Sequence, residues 1–313
     1  HESLPDLSLA DIDLSTTLLG KPLRAPIVIA GMTGGTEEAA AVNRELASIA
    51  EQRGYGFGLG SQRAMHQRPE AAWTYQVRDR APDTLVFGNL GVIQARTMPT
   101  SEVQHLVDAV GADALCLHMN PAMELIQPGG DRDFRGGAET FARLCAELTV
   151  PVIAKETGSG IGLETAERLR DAGVRTVDVS GAGGTSWVGV ETLRAEGTAA
   201  RLGDAFWDWG IPTAASILLT RRAGLDVIAT GGIASGMDVA RAIALGAHAA
   251  GIARGVYKAL AAGGASAVHT LLDDIEEQLR TTMLLTGSPT VAELRLTTHV
   301  ITGELREWKR DLG

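Results

Sequence analysis

The stretch PVIAKETGSGIGLETAERLRDAGVRTVDVSGAGGTSW, residues 151–187, decides the fold. It opens on a short apolar run, PVIAKE (151–156), and passes through a glycine-rich turn into the amphipathic segment LETAERLRDAG (163–173). It then returns to a second apolar run, TVDVSG (176–181). Strand, helix and strand in that order predict a parallel pair joined by a right-handed crossover. Gly173 stands where the helix must stop, the usual place of a left-handed cap. Alternation along the strands puts Lys155 on the same face as Ile153, toward the interior, and Asp178 on the inward face of the next strand.

Outward from this unit the pattern recurs. The runs APIVIA (25–30), YGFGLG (55–60), TLVFGN (84–89), ALCLHM (114–119), LDVIATG (225–231) and HAAGIA (248–253) complete eight strands. Helical segments such as EAAAVNRELASIAEQR, SEVQHLVDAV, AASILLTRRAG and GMDVARAIALGA lie between them, and Gly224 and Gly246 repeat the capping position. Eight such units in series predict an α/β fold closed into a (β/α)8 TIM barrel. A single domain over residues 1–313 is expected. Residues 1–24 would form a hairpin-bearing floor, 188–212 an insertion containing DAFWDWGIP, and 265–313 a long last helix with a helical tail.

Composition excludes several function classes. The net charge of -10 argues against a broad surface for nucleic acid or anionic lipid, which needs clustered Lys and Arg. No apolar run reaches the roughly 18 residues that span a bilayer, and HESLPDLSLADIDL lacks the marks of a signal peptide, so a cytoplasmic protein is expected. Because the first residue is His1 rather than Met, residues upstream of it are expected as well. Cys116 and Cys145 have no metal-type spacing and read as reduced thiols.

The functional signal lies at the strand ends, which read in order GMTGGT, GSQR, GNLG, HMNPAME, KETGSG, SGAGGTSW, TGGIASG and ARG. Barrel active sites are built from that rim, and polar and glycine residues concentrate there. TGGIASG and ARG, after the seventh and eighth strands, suit a phosphate held by backbone N–H groups and a helix N-terminus. Lys155 ends an otherwise apolar strand. An interior ammonium needs an anion, either Asp178 in a structural pair or an electron-rich cofactor ring such as a reduced flavin. Ser61, Asn89, Ser180 and Thr185 could hydrogen-bond such a ring's pyrimidine edge, while Trp187, Trp207 and Trp209 fit core, interface or pocket wall equally well.

With these blocks in view, the sequence resembles the type 2 isopentenyl-diphosphate delta-isomerases, FMN-dependent barrel enzymes. The resemblance is carried, in order and across nearly the whole chain, by LPDLSLADIDLSTTLLGKPLRAPIVIAGMTGG, GSQR, GNLG, HMNPAMELIQPGGDRDFRG, PVIAKETGSG, VDVSGAGGTSW, TGGI and DVARAIALGA. It implies interconversion of isopentenyl and dimethylallyl diphosphate with reduced FMN and Mg²⁺, NADPH serving as reductant, in a homo-oligomer, a tetramer or octamer. FMN contacts would fall on Met32, Thr33, Gly34, Ser61, Asn89, Lys155, Ser180, Thr185, Gly232, Ile233, Ala253 and Arg254. Substrate contacts would fall on Ser61, Gln62, Arg63, His118, Asn120 and Met123, and the magnesium carboxylate on Glu124. Lys155 and Met123 would occupy the catalytic positions.

The chain departs from the family at Met123, where a glutamine facing the reacting carbons is usual. A thioether accepts hydrogen bonds weakly and donates none. Either the flavin moves the proton itself, or a neighbour or water substitutes, or the enzyme is slow or acts on another substrate. PGGD at 128–131 replaces the family's PEGD, and the family's Arg-Lys motif upstream is not in this sequence. The competing enzyme class, a flavin-dependent barrel dehydrogenase or oxidase, needs a base such as His beside the flavin, and SGAGGTSW offers none. A barrel that merely binds FMN or phosphate is the non-enzyme alternative.

Overall fold

The computed structural model describes residues 1–311, so the last two positions of the expected tail lie outside the described residues. A hairpin comes first, β1 (Thr16–Leu18) and β2 (Lys21–Leu23), paired antiparallel across a two-residue turn in which Leu19 and Gly20 both take positive φ. Eight parallel strands follow: β3 (Ile27–Ile29), β4 (Gly56–Gly58), β5 (Leu85–Gly91), β6 (Ala114–His118), β7 (Val152–Lys155), β8 (Thr176–Asp178), β9 (Asp226–Ala229) and β10 (Ala249–Ile252). Each pairs with its sequence neighbour, and β10 closes onto β3, giving the barrel that the alternation predicts.

The period of two along each strand separates two cores. Val86, Leu115, Leu117, Ala154, Val177 and Val227 face outward and pack under the helices. Their neighbours Leu85, Phe87, Ala114, Cys116, Ile153 and Ile228 point inward and fill the barrel, joined from below by Leu18 and Leu23 of the hairpin. Burying such a side chain stabilises the fold by roughly 1.5–3 kcal/mol, and the hairpin keeps water from the lower end of the interior. Cys116 is part of this filling, and burial pushes its thiol up to about 12. Both cysteines are free.

One step further along each strand the inward position changes character. Leu85 and Phe87 give way to Asn89, Cys116 to His118, Ile153 to Lys155, Thr176 to Asp178, and Ile228 to Thr230. The apolar filling therefore ends in a belt of polar groups at the C-terminal mouth.

Gly173, Gly224 and Gly246 follow their helices at φ of 93°, 84° and 109°, as the capping pattern predicts. The region 188–212 holds two short helices, Trp187–Thr192 and Gly197–Ala205, and an edge-to-face contact between Phe206 and Trp209. The last long helix differs from expectation at its start. It begins directly after β10 and spans Arg254–Leu285, bending where Gly264 takes a φ of 64°. Beyond the bend Val268, Leu272, Ile275, Leu279 and Met283 bury one face, the spacing of an amphipathic helix. Helices Val291–Leu296 and Glu304–Asp311 complete the tail.

Candidate active site

The mouth of the barrel opens into a cavity of about 670 Å³, within the range of cofactor and ligand sites. Of the residues singled out in the sequence, Met32, Thr33, Ser61, Asn89, His118, Asn120, Met123, Lys155, Ser180, Thr185, Gly232, Ile233, Ala253 and Arg254 all form its wall. Trp187 joins them, so one of the three undecided tryptophans is pocket wall. Trp207 instead packs against Gly189 in the insertion.

Lys155 is held by two acceptors. Its ammonium lies 3.1 Å from Oδ2 of Asp178 and donates to the carbonyl of Glu156 at 3.0 Å. The second oxygen of Asp178 accepts the hydroxyl of Thr230. On the other side of Lys155, Nδ1 of His118 sits 2.8 Å from Oδ1 of Asn89, whose Nδ2 donates to the carbonyl of Leu59. An amide oxygen only accepts, so His118 carries its proton on Nδ1 and turns a bare Nε2 lone pair outward. Burial, together with Lys155 and Arg63, pushes this imidazole down to about 4, so it is neutral at pH 7.

Beyond β7 the carboxylate of Glu156 gathers the chain. One oxygen accepts N–H bonds from Thr157 at 2.6 Å, Gly158 at 2.7 Å and also Ser159. Thr157 and Gly158 line the cavity, so this buried carboxylate fixes a piece of its wall.

At the far end, the loop after β9 runs through Gly231 at φ +100° and Gly232 at φ +80°, conformations that L side chains avoid. A Cβ on Gly232 would stand 2.6 Å from the carbonyl oxygen of Gly183, so the two loops touch through bare backbone. The helix Arg254–Leu285 starts beside this loop. Its first N–H groups have no acceptor within the helix, and Ala253, Arg254 and Gly255 line the cavity. Lys258, one turn after Arg254, adds a second cation to the wall; sequence reasoning missed it although the spacing of four was visible. Tyr257, Thr157 and Gly158 were missed too.

Gly34, Gln62, Arg63 and Glu124 do not form the wall. Gly34 abuts the ring of Tyr75, whose hydroxyl donates to the carbonyl of Ser61 at 2.7 Å. Gln62 is fully buried, donating to the carbonyl of Leu106 at 2.8 Å and accepting from the N–H of Asn89 at 3.0 Å. Arg63 opens the short helix Arg63–Gln67, and its charge reaches His118 without the side chain reaching the cavity. Glu124 is buried with both oxygens accepting, one from Nδ2 of Asn120 at 3.0 Å and one from the N–H of Asp131 at 2.9 Å.

The arrangement fits a flat ring with a phosphate tail. A glycine cradle and a helix start with two cations suit the phosphate, and the belt from Asn89 to Lys155 suits a polar ring edge. Among the described residues no group of three or more His, Cys, Asp or Glu could hold a metal by itself, and each oxygen of Glu124 accepts one N–H bond and keeps a further acceptor site. Among the same residues no helix is long and apolar enough to cross a membrane.

Comparison with known proteins agrees with this geometry. Residues 83–301 match the family model of the FMN-dependent dehydrogenases. An isopentenyl-diphosphate delta-isomerase of Thermococcus onnurineus is 46% identical, the match covering 98% of this chain and 85% of the relative. One of Methanosarcina mazei is 43% identical, covering 100% and 87%. Among solved structures, a mandelate oxidase carrying an FMN monooxide adduct superposes with a TM-score of 0.67 at 20% identity, covering 94% of this chain and 85% of that one. At that identity the likeness bears on the fold alone.

Proposed function

The chain belongs to the type 2 isopentenyl-diphosphate delta-isomerases, within the FMN-dependent dehydrogenase class of barrels, and on that premise we propose that it converts isopentenyl diphosphate to dimethylallyl diphosphate at the mouth of the barrel. The observation that carries the reading is the meeting, in one cavity, of a glycine-and-cation phosphate cradle with Lys155 at the end of an apolar strand.

The reaction is a 1,3-allylic shift. One proton is gained at the terminal methylene and one is lost from the carbon next to the oxygen-bearing carbon, with no net oxidation. When bound, reduced FMN supplies the proton-transfer chemistry for this shift. The chain's own residues bind and orient. Gly232, Ile233, Arg254 and Lys258 would hold the cofactor phosphate, and Asn89, Ser180 and Thr185 the ring's polar edge. Lys155 would place positive charge beside the most electron-rich part of that edge.

His118 and Asn120 would hold the substrate diphosphate at the opposite side, with Ser61 beside them. Fixing the remote diphosphate positions the double bond, which is how binding energy lowers a barrier. Met123 and Trp187 present an apolar wall, suited to a five-carbon chain and unable to relay a proton. A magnesium ion would arrive with the diphosphate, shelled mostly by phosphate oxygens and water. NADPH would serve only to reduce the flavin at the outset, in a cytoplasmic homo-oligomer.

The test is anaerobic. Protein loaded with FMN and reduced once should turn over many equivalents of isopentenyl diphosphate without further reductant. A protein that stalls with its flavin reduced, and that turns over only when given one equivalent of an electron acceptor per product, would favour the dehydrogenase or oxidase reading, which the family match to FMN-dependent dehydrogenases keeps in play.

A further inference from the structure

Asp178 is not part of the cavity wall, yet it touches two residues that are, Lys155 and Thr230. We propose that Asp178 is a positioning residue that acts through Lys155 and sets how much positive charge a ring in the cavity experiences. The proposal rests on the reading that the cavity holds FMN.

An ammonium has three donors. Two are spent on Oδ2 of Asp178 and on the carbonyl of Glu156, which leaves one direction for the cavity. Asp178 is itself held, since its other oxygen accepts the Thr230 hydroxyl from the next strand. The pairing follows from the barrel: Lys155 and Asp178 are register partners on β7 and β8, both on inward faces. Neither is able to turn outward without entering the apolar layer under the helices.

The electrostatic consequence is a screened cation. Carboxylate and ammonium carry opposite unit charges, so at any point in the cavity the nearer ammonium is opposed by the carboxylate behind it. Directly below, Cys116 feels both charges and stays a neutral thiol. Reduced flavin carries negative charge that the oxidised form lacks, so the field of the pair bears on the preference for one over the other. An unscreened lysine would favour the reduced, anionic ring more strongly. Asp178 holds that preference back while keeping the lysine in place.

The experiment is the midpoint potential of bound FMN in Asp178→Asn. The amide keeps the shape, its oxygen accepts from Lys155 and its NH₂ donates to Thr230, so the side-chain network survives without the charge. The affinity for reduced over oxidised FMN should rise about tenfold, which for a two-electron couple raises the potential by about 30 mV. Asp178→Glu, which keeps the charge, should stay near the parent value. Where a variant retains FMN poorly, the ratio of dissociation constants for oxidised and reduced FMN measures the same quantity, and Asp178→Ser carries the same prediction. An unchanged or lowered preference in the neutral variants overturns the proposal, because a role confined to folding would not move it in the stated direction. A parent protein that takes up no FMN would overturn the cofactor reading and this inference with it.

Discussion

Lys155 and Asp178 face each other at 3.1 Å from adjacent strands, with side chains only 10% and 8% exposed. A pair this buried is expensive to break from one side, because the remaining charge is stranded in a site that cannot hydrate it. Lys155→Met should therefore cost about 3–5 kcal/mol of unfolding free energy in urea. Combining it with Asp178→Leu should recover part of that loss without recovering isomerase activity. Stability that stays low in the double variant would mean that the pair is not the origin of the loss.

Met123 lies on the cavity wall where the family's glutamine would stand. Met123→Gln restores a side chain that both donates and accepts, at similar length. We expect a higher kcat for isopentenyl diphosphate, by up to roughly a hundredfold, the low end of what positioned acid–base groups contribute. A kcat that falls instead would show that the pocket is built around the thioether for another substrate.

The bare Nε2 of His118 should make diphosphate binding a proton-consuming event. In the free protein the ring is neutral at pH 7, and a diphosphate placed against a lone pair raises the ring's pKa until it protonates. Calorimetry in two buffers of different ionisation enthalpy should show net proton uptake on binding isopentenyl diphosphate, greater at pH 6 than at pH 8. In His118→Asn the uptake should vanish. Equal uptake in parent and variant would place the diphosphate elsewhere.

Much of this site was legible because a barrel strand obeys a period of two. Ile153 followed by Lys155, and Cys116 by His118, are enough to say that an apolar column ends in charge at one mouth. Side chains beyond the last strand residue were less legible, because the turn and not the pleat decides their direction. Gln62 follows Ser61 and shares its motif, but its loop aims it inward at Leu106, a partner forty-four residues away. Glu124 sits four residues after Asn120, a helical spacing that brings its carboxylate onto the amide, behind the cavity wall and not on it. Lys258 was hidden by the expectation that the last helix starts at 265, when it starts at Arg254.

Glu156 and His118 are shifted in opposite senses. Burial pushes the Glu156 carboxyl up to about 7, against the N–H bonds of Ser159, Thr157 and Gly158 and the charge of Lys155. A raised carboxyl keeps its proton in the folded chain when the unfolded chain has lost it. Its stabilising contribution is therefore whole below the unfolded value of 4.5 and is lost as pH rises through about 7. His118, lowered from 6.5 to about 4, works the other way: its contribution is present above 6.5 and lost as pH falls through about 4. In ligand-free protein the two slopes oppose across the interval between. Glu156→Gln removes one of them, so variant minus parent stability should rise with pH, by at most about 1.4 kcal/mol per pH unit. A difference that is flat across that interval would show that Glu156 is ionised in the folded protein throughout.

Gly232 tests the phosphate end of the cavity. Its φ is +80° and a Cβ there would stand 2.6 Å from a backbone oxygen that has no flexible side chain to give way. Gly232→Ala must displace the loop after β9, and the cradle beside Arg254 with it. Gly20 offers a matched control in the floor hairpin, with the same φ of +80° but nothing within 4 Å of the added carbon. Both substitutions carry the left-handed penalty of roughly 1–2 kcal/mol, so both should lower stability. Only Gly232→Ala should weaken FMN binding, by at least about tenfold, as read by quenching of flavin fluorescence. Equal FMN affinity in the two variants would remove the phosphate from the loop after β9, since strain alone is common to both.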